Sequence, residues 1–322
     1  MVEVNSSAVS VILPVLNEEH YLESAVNSIL SQDFVGEIQV VLAIGPSKDK
    51  TMQVAEAIAK NDPRVKIVEN PTGRTAAALN LAIKNSKNPI IVRVDGHAHI
   101  PSNYISIAVE LLKTTGAVNV GGVMAAKGQN HFERAVASAM RSPLGVGVSK
   151  FHVGGSAGET DTVYLGVFDR TALEAVGGFD EHFTRAQDWE LNHRLRKNGG
   201  KIYFDPRLTV TYRPRSSFKA LAKQYFEYGR WRRVVSRTHS GTINFRYLAP
   251  PLTLIGVSTS IFLGFFNSVL FIPAITYAIF LLLSALKIGN SILERIYLPF
   301  VLFTMQMSWG AGFITSTKRL VR

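Results

Sequence analysis

The chain has 322 residues, a formal net charge of +11 and no cysteine. Its length and its 47% of hydrophobic residues suffice to bury a core in one large domain or two smaller ones, which excludes disorder over most of the chain. Without cysteine, disulfides, thiolate nucleophiles and thiolate-bound zinc or iron–sulfur clusters are excluded, so any metal must be held by carboxylates, imidazoles or water.

The first 120 residues alternate short β-branched segments with helical patterns. The strand-like segments are apolar on both faces and span residues 10–13, 38–44, 65–68 and 90–94. This alternation predicts an α/β fold with a mostly parallel sheet covered by helices, and a ligand at the carboxyl ends of the strands. The chain contains neither G-x-G-x-x-G nor G-x-x-x-x-G-K-[ST], which disfavours dinucleotide dehydrogenases and P-loop enzymes.

Polar residues follow the first two predicted strands. Pro14 cannot donate to a strand ladder and closes the first strand, and Asn17 and Glu18 come next, where they could hydrogen-bond a base or a ribose. The same pair also suits the N-terminus of a helix. After the second strand, Asp49 lies in a turn before a helix whose cap could be Ser47 or Asp49, and capping alone would explain the turn.

The fourth predicted strand ends in the most specific local pattern, Asp95-Gly-His97-Ala-His99. In an extended chain, residues two apart point the same way, so these three side chains would share one face. One Asp and one His could hold Mg²⁺ or Mn²⁺ bridged to a diphosphate. The alternative is that Asp95 caps a turn and the histidines are solvated.

The middle of the chain contains Gly177-Gly-Phe-Asp180 and then a helical pattern in which Leu191 and Leu195 fall four residues apart. Asp188 stands near the start of this predicted helix, where the helix dipole stabilises a carboxylate. A carboxylate at a pocket mouth could act as general base on a hydroxyl group. A simple N-cap is the alternative interpretation.

Residues 207–246 contain ten Lys or Arg and a single acid, Glu227. Residues 218–236 are amphipathic and could lie in a membrane interface. Arg230 and Trp231 could reach a diphosphate or an anionic lipid, since arginine matches phosphate geometry with two hydrogen bonds. Interleaved aromatic residues also suit nucleic acid, but the adjoining apolar segment favours an anionic membrane surface.

Two segments, residues 248–286 and 296–317, carry no charged side chain. Because a membrane-spanning helix needs about 20 apolar residues, the first predicts two spans and the second predicts one. A buried helical hairpin is the alternative, which the lack of charge at helical spacing disfavours.

The basic cluster before the first span predicts that residues 1–246 are cytosolic. Three spans would place the basic tail, residues 318–322, on the opposite side, so the number of spans could also be even. Residues 1–7 lack the pattern of a secretory signal peptide, and none is expected.

Taken in order over about residues 8–240, these segments resemble the family 2 glycosyltransferases with the GT-A fold. The matching motifs are SVILPVLNEE at 10–19, SKDKT at 47–51, N-x-x-G-R at 70–74 with ALN at 78–80, VDGH at 94–97, GGFDE at 177–181 and QDWELNHRL at 187–195. The chain looks most like the membrane-bound exopolysaccharide enzymes of the succinoglycan type, which share the A-I-G-P-S-x-D, R-V-D-x-H-A and Y-G-R-W phrases.

The resemblance implies roles for several positions. Asp95 would be the first carboxylate of the D-x-D metal motif, with His97 as the second metal ligand, and Asp188 would be the catalytic base. The nucleotide or its diphosphate would be bordered by Pro14, Asn17, Glu18, Asp49, Arg74, Asp95, Arg230 and Trp231.

The chain departs from the family pattern at three places. Ile44-Gly45 stand where an acidic residue often recognises uracil, and His97 stands where the second Asp of the metal motif is usual. Gln187 replaces the usual Glu beside the base, which removes a like charge and implies a less raised pKa for Asp188. The Q-x-x-R-W motif of processive synthases is also absent, which favours transfer of one sugar per encounter.

The resemblance therefore implies an inverting, Mn²⁺- or Mg²⁺-dependent enzyme of exopolysaccharide or cell-surface glycan synthesis. It would move a sugar from a nucleotide-diphosphate sugar to a polyprenyl-diphosphate-linked saccharide. The layout would be a GT-A domain over residues 1–217, an interfacial segment over 218–246, membrane helices over 247–317 and the tail. The enzyme would lie in the bacterial plasma membrane with its catalytic domain in the cytoplasm. A membrane-anchored sugar-nucleotide binding module without catalysis is the alternative.

Overall fold

The structure, a computed structural model, describes residues 8–321. Residues 1–7, on which the expectation about a signal peptide depends, and Arg322 of the predicted tail lie outside the described residues. The strands are β1 Ala8–Val15, β2 Glu37–Ile44, β3 Val65–Glu69, β4 Ile90–Arg93, β5 Asn119–Ala126, β6 Gly158–Glu159, β7 Tyr164–Asp169 and β8 Ile202–Tyr212. The α-helices are α1 Leu22–Leu30, α2 Thr51–Asn61, α3 Thr75–Lys84, α4 Tyr104–Thr115, α5 His131–Met140, α6 Pro143–Val146, α7 Lys150–Val153, α8 Arg170–Ala175, α9 Gln187–Lys197, α10 Phe218–Thr238, α11 Phe245–Gly264, α12 Ile272–Ile288 and α13 Ile292–Thr315. Two 3₁₀ helices span Ser268–Phe271 and Lys318–Leu320.

The described residues pack as two compact units. The first contains residues 8–125 and 154–211, and the second contains 126–153 and 212–321. Residues 126–153 join the C-terminal helices because α5 packs against α13 and the buried Glu133 pairs with Arg213 at 2.9 Å. The first unit therefore ends at residue 211, whereas the sequence predicts a domain boundary at 217.

The first unit is built on a mixed sheet with the strand order β3-β2-β1-β4-β7-β5-β8-β6. Strands β1 to β4 pair in parallel, as the sequence predicts, whereas β7 pairs antiparallel with both β4 and β5, and β6 pairs antiparallel with β8. The predicted α/β class with a mostly parallel first half is confirmed.

Both faces of this sheet are buried. Val11 and Leu13 of β1 face a core that includes side chains of α1, α2 and α4, while Ile12 faces a second core with side chains of α3 and α9. Because alternate residues of a strand point to opposite faces, apolar residues at successive positions require cover on both sides. Helices cover both faces of the sheet, so the ends of its strands are the part of the sheet that they leave uncovered.

The end of β1 marks where two strands separate. β1 pairs with β4 only as far as Ile12 opposite Arg93, but it continues along β2 to Val15. Pro14 lies in this last stretch, opposite Ala43 of β2. Because β4 no longer pairs with β1 there, the missing N–H of Pro14 leaves no ladder bond unmade on that side.

The second unit is helical and is built around α13. The buried residues of α13 include Leu298, Leu302 and Met305, and this helix packs against α5, α10, α11 and α12. Its closest approach is to α10: a Cβ added to Gly312 would collide with the carbonyl oxygen of Phe226, and one added to Gly229 would collide with that of Trp309. The predicted amphipathic segment therefore has a helical partner along its apolar face.

Two helical segments of the second unit are long and apolar enough to cross a membrane, Phe245–Gly264 and Ser268–Ile288. Few of their residues are buried in the structure, and the exposed ones include Phe262 and Ile275. Contiguous exposed apolar surface of this kind is typical of a membrane or protein interface. These segments coincide with the pair of spans predicted in residues 248–286.

The third predicted span, residues 296–317, is not among the candidate spans of residues 8–321. Its helix, α13, begins before it at Ile292, and the first turn contains Glu294, which is buried and accepts hydrogen bonds from Ser138 and Asn290. Part of the uncharged stretch packs inside the second unit, where Leu298 and Met305 are buried, while Phe300 and Phe303 are exposed. A helix without charged residues matches the pattern of a membrane span whether it faces lipid or protein.

Replacing Gly312 with alanine is expected to lower the melting temperature of the detergent-solubilised protein. The new Cβ would collide with the Phe226 carbonyl, so α10 and α13 must separate, at a cost of about 1–3 kcal/mol for overpacking. Gly256→Ala on α11 is the matched control, because nothing lies within 4 Å of the position that its new methyl group would take. Equal thermal unfolding curves for the two variants would contradict this packing.

Candidate active site

The loops that follow β1 and β2 are hydrogen-bonded to each other. The Asn17 side-chain oxygen accepts from the Lys48 backbone N–H at 2.8 Å, and the Glu18 N–H donates to the Thr51 hydroxyl at 2.7 Å. Asn17 has a φ of 56°, a left-handed conformation that asparagine tolerates better than most residues. Asn17 therefore fixes the conformation of the loop that follows β1. A contact from Asn17 to a nucleotide remains a prediction.

Asp49 lies just before α2, whose N-cap residue is Lys50, and its carboxylate accepts hydrogen bonds at the start of this helix. One carboxylate oxygen accepts from the N–H and the hydroxyl of Thr51, and the other accepts from the N–H of Glu19 at 3.3 Å. The hydrogen bond from the Thr51 hydroxyl lowers the pKa of Asp49, and the two backbone donors lower it further. These contacts join the loops after β1 and β2, and a place for Asp49 in the wall of a nucleotide site remains a prediction.

Asp95 lies two residues beyond β4, in a tight turn. The Ala98 N–H donates to the Asp95 carbonyl at 2.9 Å, so the extended conformation expected through residues 95–98 is wrong. Asp95 and His97 nevertheless remain accessible while Ala98 is buried. His99 lies after the turn and forms an isolated antiparallel β-bridge with Thr211.

Glu18 contacts His97 directly. The ring nitrogen Nδ1 lies 2.7 Å from a carboxylate oxygen of Glu18. An ionised carboxylate can only accept, so Nδ1 carries the hydrogen, and in a neutral ring Nε2 then carries the lone pair that a metal needs. This pairing joins the loop after β1 to the turn after β4, and it was not evident from the sequence.

The residues present fit a divalent metal only as a partial site. Within residues 8–321 there is no group of three or more His, Asp or Glu placed to hold an ion. Asp95 and His97 supply one hard oxygen donor and one imidazole. Mg²⁺ and Mn²⁺ sites of nucleotide-binding proteins commonly take their remaining ligands from phosphate oxygens and water, so the two residues fit an ion that arrives with a diphosphate.

Replacing Glu18 with glutamine is expected to weaken Mn²⁺ binding in the presence of a nucleoside diphosphate by about 10–100-fold, because it removes the carboxylate that orients His97. Isothermal titration calorimetry of the purified protein measures this change. Glu23→Gln is the matched control, since Glu23 lies on the exposed side of α1. Indistinguishable Mn²⁺ affinities in the two variants would show that Glu18 does not support a metal ligand.

Asp188 is the second residue of α9, as predicted. The turn before it is fixed from outside the helix: the Asn80 side chain both donates to the Phe179 carbonyl and accepts from the Phe179 N–H, at 2.8 and 2.9 Å. Ala186, just before α9, has a left-handed φ of 62°. Asp188 thus projects from a helix start whose preceding loop is tied to α3.

Arg93 connects Asp95, the predicted metal ligand, with Asp188, the predicted base. Its guanidinium donates to Oδ1 of Asp95 through Nε at 3.3 Å and Nη2 at 3.1 Å, and its Nη1 contacts Oδ1 of Asp188. The Arg93 side chain is only 6% exposed, whereas those of Asp95 and Asp188 are 21% and 38% exposed. Arg93 was not among the predicted site residues, although a charged residue in the last position of a buried strand was a signal.

The pKa of Asp188 is raised by desolvation, and the charge of Asp95 adds to this rise while Arg93 opposes it. The neighbouring charge therefore comes from Asp95, and not from position 187, where Gln187 is buried and neutral. Although burial lowers the pKa of Arg93, Asp188 and Asp95 outweigh this and raise it, so Arg93 stays charged.

If Asp188 is the base, kcat is expected to fall on acidification at a pH above 3.8, the ordinary pKa of aspartate. The base must be ionised to accept a proton, and a raised pKa moves the loss of the ionised form to higher pH. Measuring kcat from about pH 4 to pH 8 at saturating substrates tests this. A kcat that stays constant down to pH 4 would exclude a base with a raised pKa.

The other predicted residues lie farther from this cluster along the chain. Arg74 precedes α3, is exposed, and donates weakly to the Glu181 carbonyl at 3.4 Å. Arg230 and Trp231 belong to α10 of the second unit, where Arg230 pairs with Glu227 at 3.2 Å and Trp231 is buried. Roles for these three residues at a diphosphate remain predictions.

A cavity of about 630 Å³ also opens in the first unit. Its lining includes Gly36, Ile38 and Val65, at the start of β2 and β3, and Lys87, before β4. These positions lie at the amino ends of the strands, opposite the edge that carries Asp95. Because Asp95 and His97 lie at the carboxyl ends of the strands and not at this cavity, we take the carboxyl ends as the candidate site.

Comparisons with known proteins agree with this geometry. Over 321 residues the chain is 29% identical to the succinoglycan biosynthesis protein ExoA of Rhizobium meliloti, covering 97% of this chain and 95% of that protein. It is 27% identical, over 95% of both chains, to the dolichyl N-acetyl-alpha-D-glucosaminyl phosphate 3-beta-D-2,3-diacetamido-2,3-dideoxy-beta-D-glucuronosyltransferase of Methanococcus voltae.

Among solved structures, a mannosyltransferase of Pyrobaculum calidifontis in complex with GDP-Man and Mn²⁺ matches with a TM-score of 0.60 and 20% identity, covering 96% of this chain and 86% of that one. This likeness confirms the GT-A fold. The model of the glycosyl transferase family 2 matches residues 10–177, which contain β1 to β7 and the Asp95 turn. The chain therefore belongs to the family 2 glycosyltransferases, as its motifs indicate.

Proposed function

We propose that this glycosyltransferase moves one sugar, with inversion, from a nucleotide-diphosphate sugar to a lipid-linked saccharide during synthesis of an exopolysaccharide or another cell-surface glycan. The observation that carries the proposal is the contact of Asp95 and Asp188 with one guanidinium, that of Arg93. Two carboxylates this close can serve one pocket, one on the donor side and one on the acceptor side of a single reacting carbon.

In the proposed mechanism, Asp188 accepts the proton of the acceptor hydroxyl as the hydroxyl oxygen attacks the anomeric carbon. The bond from that carbon to the diphosphate oxygen breaks on the opposite face, and the nucleoside diphosphate leaves with the bonding electrons. Attack from the face opposite the leaving group inverts the anomeric centre. Asp188 lies in the first turn of α9, where the helix dipole favours its ionised form and offsets part of its desolvation.

Asp95 and His97 are the residues that would hold Mn²⁺ or Mg²⁺ together with the diphosphate. The ion would neutralise charge on the leaving diphosphate. Glu18 orients His97, and the hydrogen-bonded loops after β1 and β2 hold Glu18 in place. Ile44-Gly45 provide no acidic side chain for a base, so a carboxylate at these positions does not select uracil in this chain.

A lipid-linked acceptor is supported by the relatives and by the helices. The names of the two curated relatives place them in succinoglycan biosynthesis and in transfer to a dolichyl phosphate-linked sugar. The exposed apolar segments Phe245–Gly264 and Ser268–Ile288 would anchor the chain in the bacterial plasma membrane. With basic residues concentrated in 207–246, we propose that the catalytic unit faces the cytoplasm.

Membranes containing the protein, incubated with a panel of nucleotide sugars, polyprenyl-linked saccharides and Mn²⁺ or Mg²⁺, test the proposal. The expected result is a lipid-linked product extended by one sugar, with release of one nucleoside diphosphate per sugar transferred. The anomeric configuration of the product tests inversion. Binding of a nucleotide sugar with neither transfer nor slow hydrolysis would instead favour the sugar-nucleotide binding module.

A further inference from the structure

We infer that Arg93 is a positioning residue that holds the catalytic carboxylate of Asp188 in register with Asp95, so that one side chain aligns the acceptor side with the donor side. This inference rests on the proposed function. It goes beyond the metal motif and the base, because Arg93 itself would touch neither substrate.

The backbone of Arg93 is held by an interior strand of the sheet of the first unit. Arg93 is the last residue of β4, which lies between β1 and β7 in the sheet, and it stands opposite Ile12. Its guanidinium lies 6.0 Å from the ring centre of Phe179, which is itself buried. Packing of this kind restricts the rotamers of a long side chain and pre-organises its hydrogen-bond donors.

Asp188 has a less rigid support. It follows Ala186, whose left-handed backbone marks the break between the preceding loop and α9, and its side chain is 38% exposed. A carboxylate at a helix start can adopt several rotamers, and only some aim it at an acceptor hydroxyl. The contact from Nη1 of Arg93 selects one of them.

The geometry of the guanidinium explains why an arginine suits this position. Nε and Nη2 both donate to Oδ1 of Asp95, which uses one edge of the planar group, and Nη1 is left to reach Asp188. A lysine would bring the same charge but only one nitrogen. Burying a charge is costly unless partners compensate for it, and the two carboxylates do so here.

The inference predicts a specific kinetic pattern. Arg93→Met is expected to lower kcat about a hundredfold, the cost of a catalytic group displaced by about 1 Å, while the KM for the nucleotide sugar changes less than about threefold. Arg93→Lys should lie between this variant and the wild type. In an Asp188→Asn background, Arg93→Met should cost little more, because the group that it positions is already inactive.

Arg170→Met is the matched control for the loss of a well-bonded arginine. Arg170 donates to the Asn88 carbonyl and the Ser86 hydroxyl, before β4 and at the amino edge of the sheet. It should lower the melting temperature and leave kcat within about threefold. Circular dichroism and calorimetric binding of the nucleotide sugar check that each variant is folded.

Several results would overturn the inference while leaving the proposed function intact. They are wild-type kcat in Arg93→Met or Arg93→Lys, equal losses of kcat in Arg93→Met and Arg170→Met, and a full additional loss from Arg93→Met in the Asp188→Asn background. If Arg93→Met does not fold, Arg93→Lys carries the same test. Failure of the wild type to transfer any sugar from the panel would overturn the proposed function, and the inference with it.

Discussion

Replacing Asp188 with asparagine is expected to lower kcat for sugar transfer by about 10²–10⁴-fold, the range that general-base catalysis contributes. The amide keeps the size and most hydrogen bonds of the side chain but cannot accept the proton of the acceptor hydroxyl. Because Asp188 is assigned to the acceptor side, calorimetric binding of the nucleotide sugar should stay close to that of the wild type. A radiolabelled transfer assay and calorimetry on the same preparation measure both quantities.

Asp62→Asn is the matched control for this substitution. Asp62 follows α2 near the amino end of β3, and it forms a surface ion pair with Arg64. Loss of an exposed pair costs about 0–1 kcal/mol of stability, so transfer should be unchanged. Near-normal turnover by Asp188→Asn would remove the base from the proposed mechanism, whatever the binding data show.

The sheet of the first unit was predictable from local pattern, because burial on both faces leaves a direct trace in the sequence. The four predicted strands match β1 to β4 to within two residues at each end, and Leu191 and Leu195 are buried on α9 as their spacing indicates. The antiparallel half was not predicted. Its short strands, such as Gly158–Glu159, carry too few residues to show a period.

Contacts between distant segments account for what the sequence could not show at the site. The residue types of Asp95, His97 and Asp188 suggested metal binding and base catalysis, but their partners come from other elements. Glu18 meets His97 across 79 positions, and Arg93 meets Asp188 across 95. Such pairings depend on the register of β1 against β4 and on the return of the chain to α9, which no local period encodes.

The candidate membrane helices show what composition alone can predict and what it cannot. A lipid environment and a protein interior both disfavour charged side chains, so an uncharged stretch is compatible with either of them. In residues 248–286 the apolar side chains are mostly exposed, whereas in α13 Leu298, Leu302 and Met305 are buried. The pattern predicts the helices, and the two candidate spans of residues 8–321 coincide with two of the three predicted ones, while the number of spans remains a prediction.

Replacing Asp95 with asparagine is expected to abolish transfer by a different route from Asp188→Asn. Asp95 supplies the only carboxylate assigned to the metal, and a neutral amide is a much weaker ligand for Mn²⁺ or Mg²⁺ than a carboxylate. The ion and the diphosphate should therefore bind less tightly together, and the main expected change is in metal-dependent binding of the nucleotide sugar. Calorimetric titration of nucleotide sugar with and without Mn²⁺ measures it.

The same substitution also removes the negative charge of one of the two carboxylates that bind Arg93, which weakens that contact, so the loss of transfer should exceed the loss of donor binding. If donor and metal binding alone were affected, saturating Mn²⁺ and nucleotide sugar would restore kcat to the wild-type value. Because Asp188 would then be the only one of these two side chains that carries a charge to bind Arg93, we expect kcat to remain low at saturation, with Asp62→Asn again unaffected. Complete recovery of kcat at saturation would show that Asp95 serves the donor only, and that the alignment of Asp188 does not depend on it.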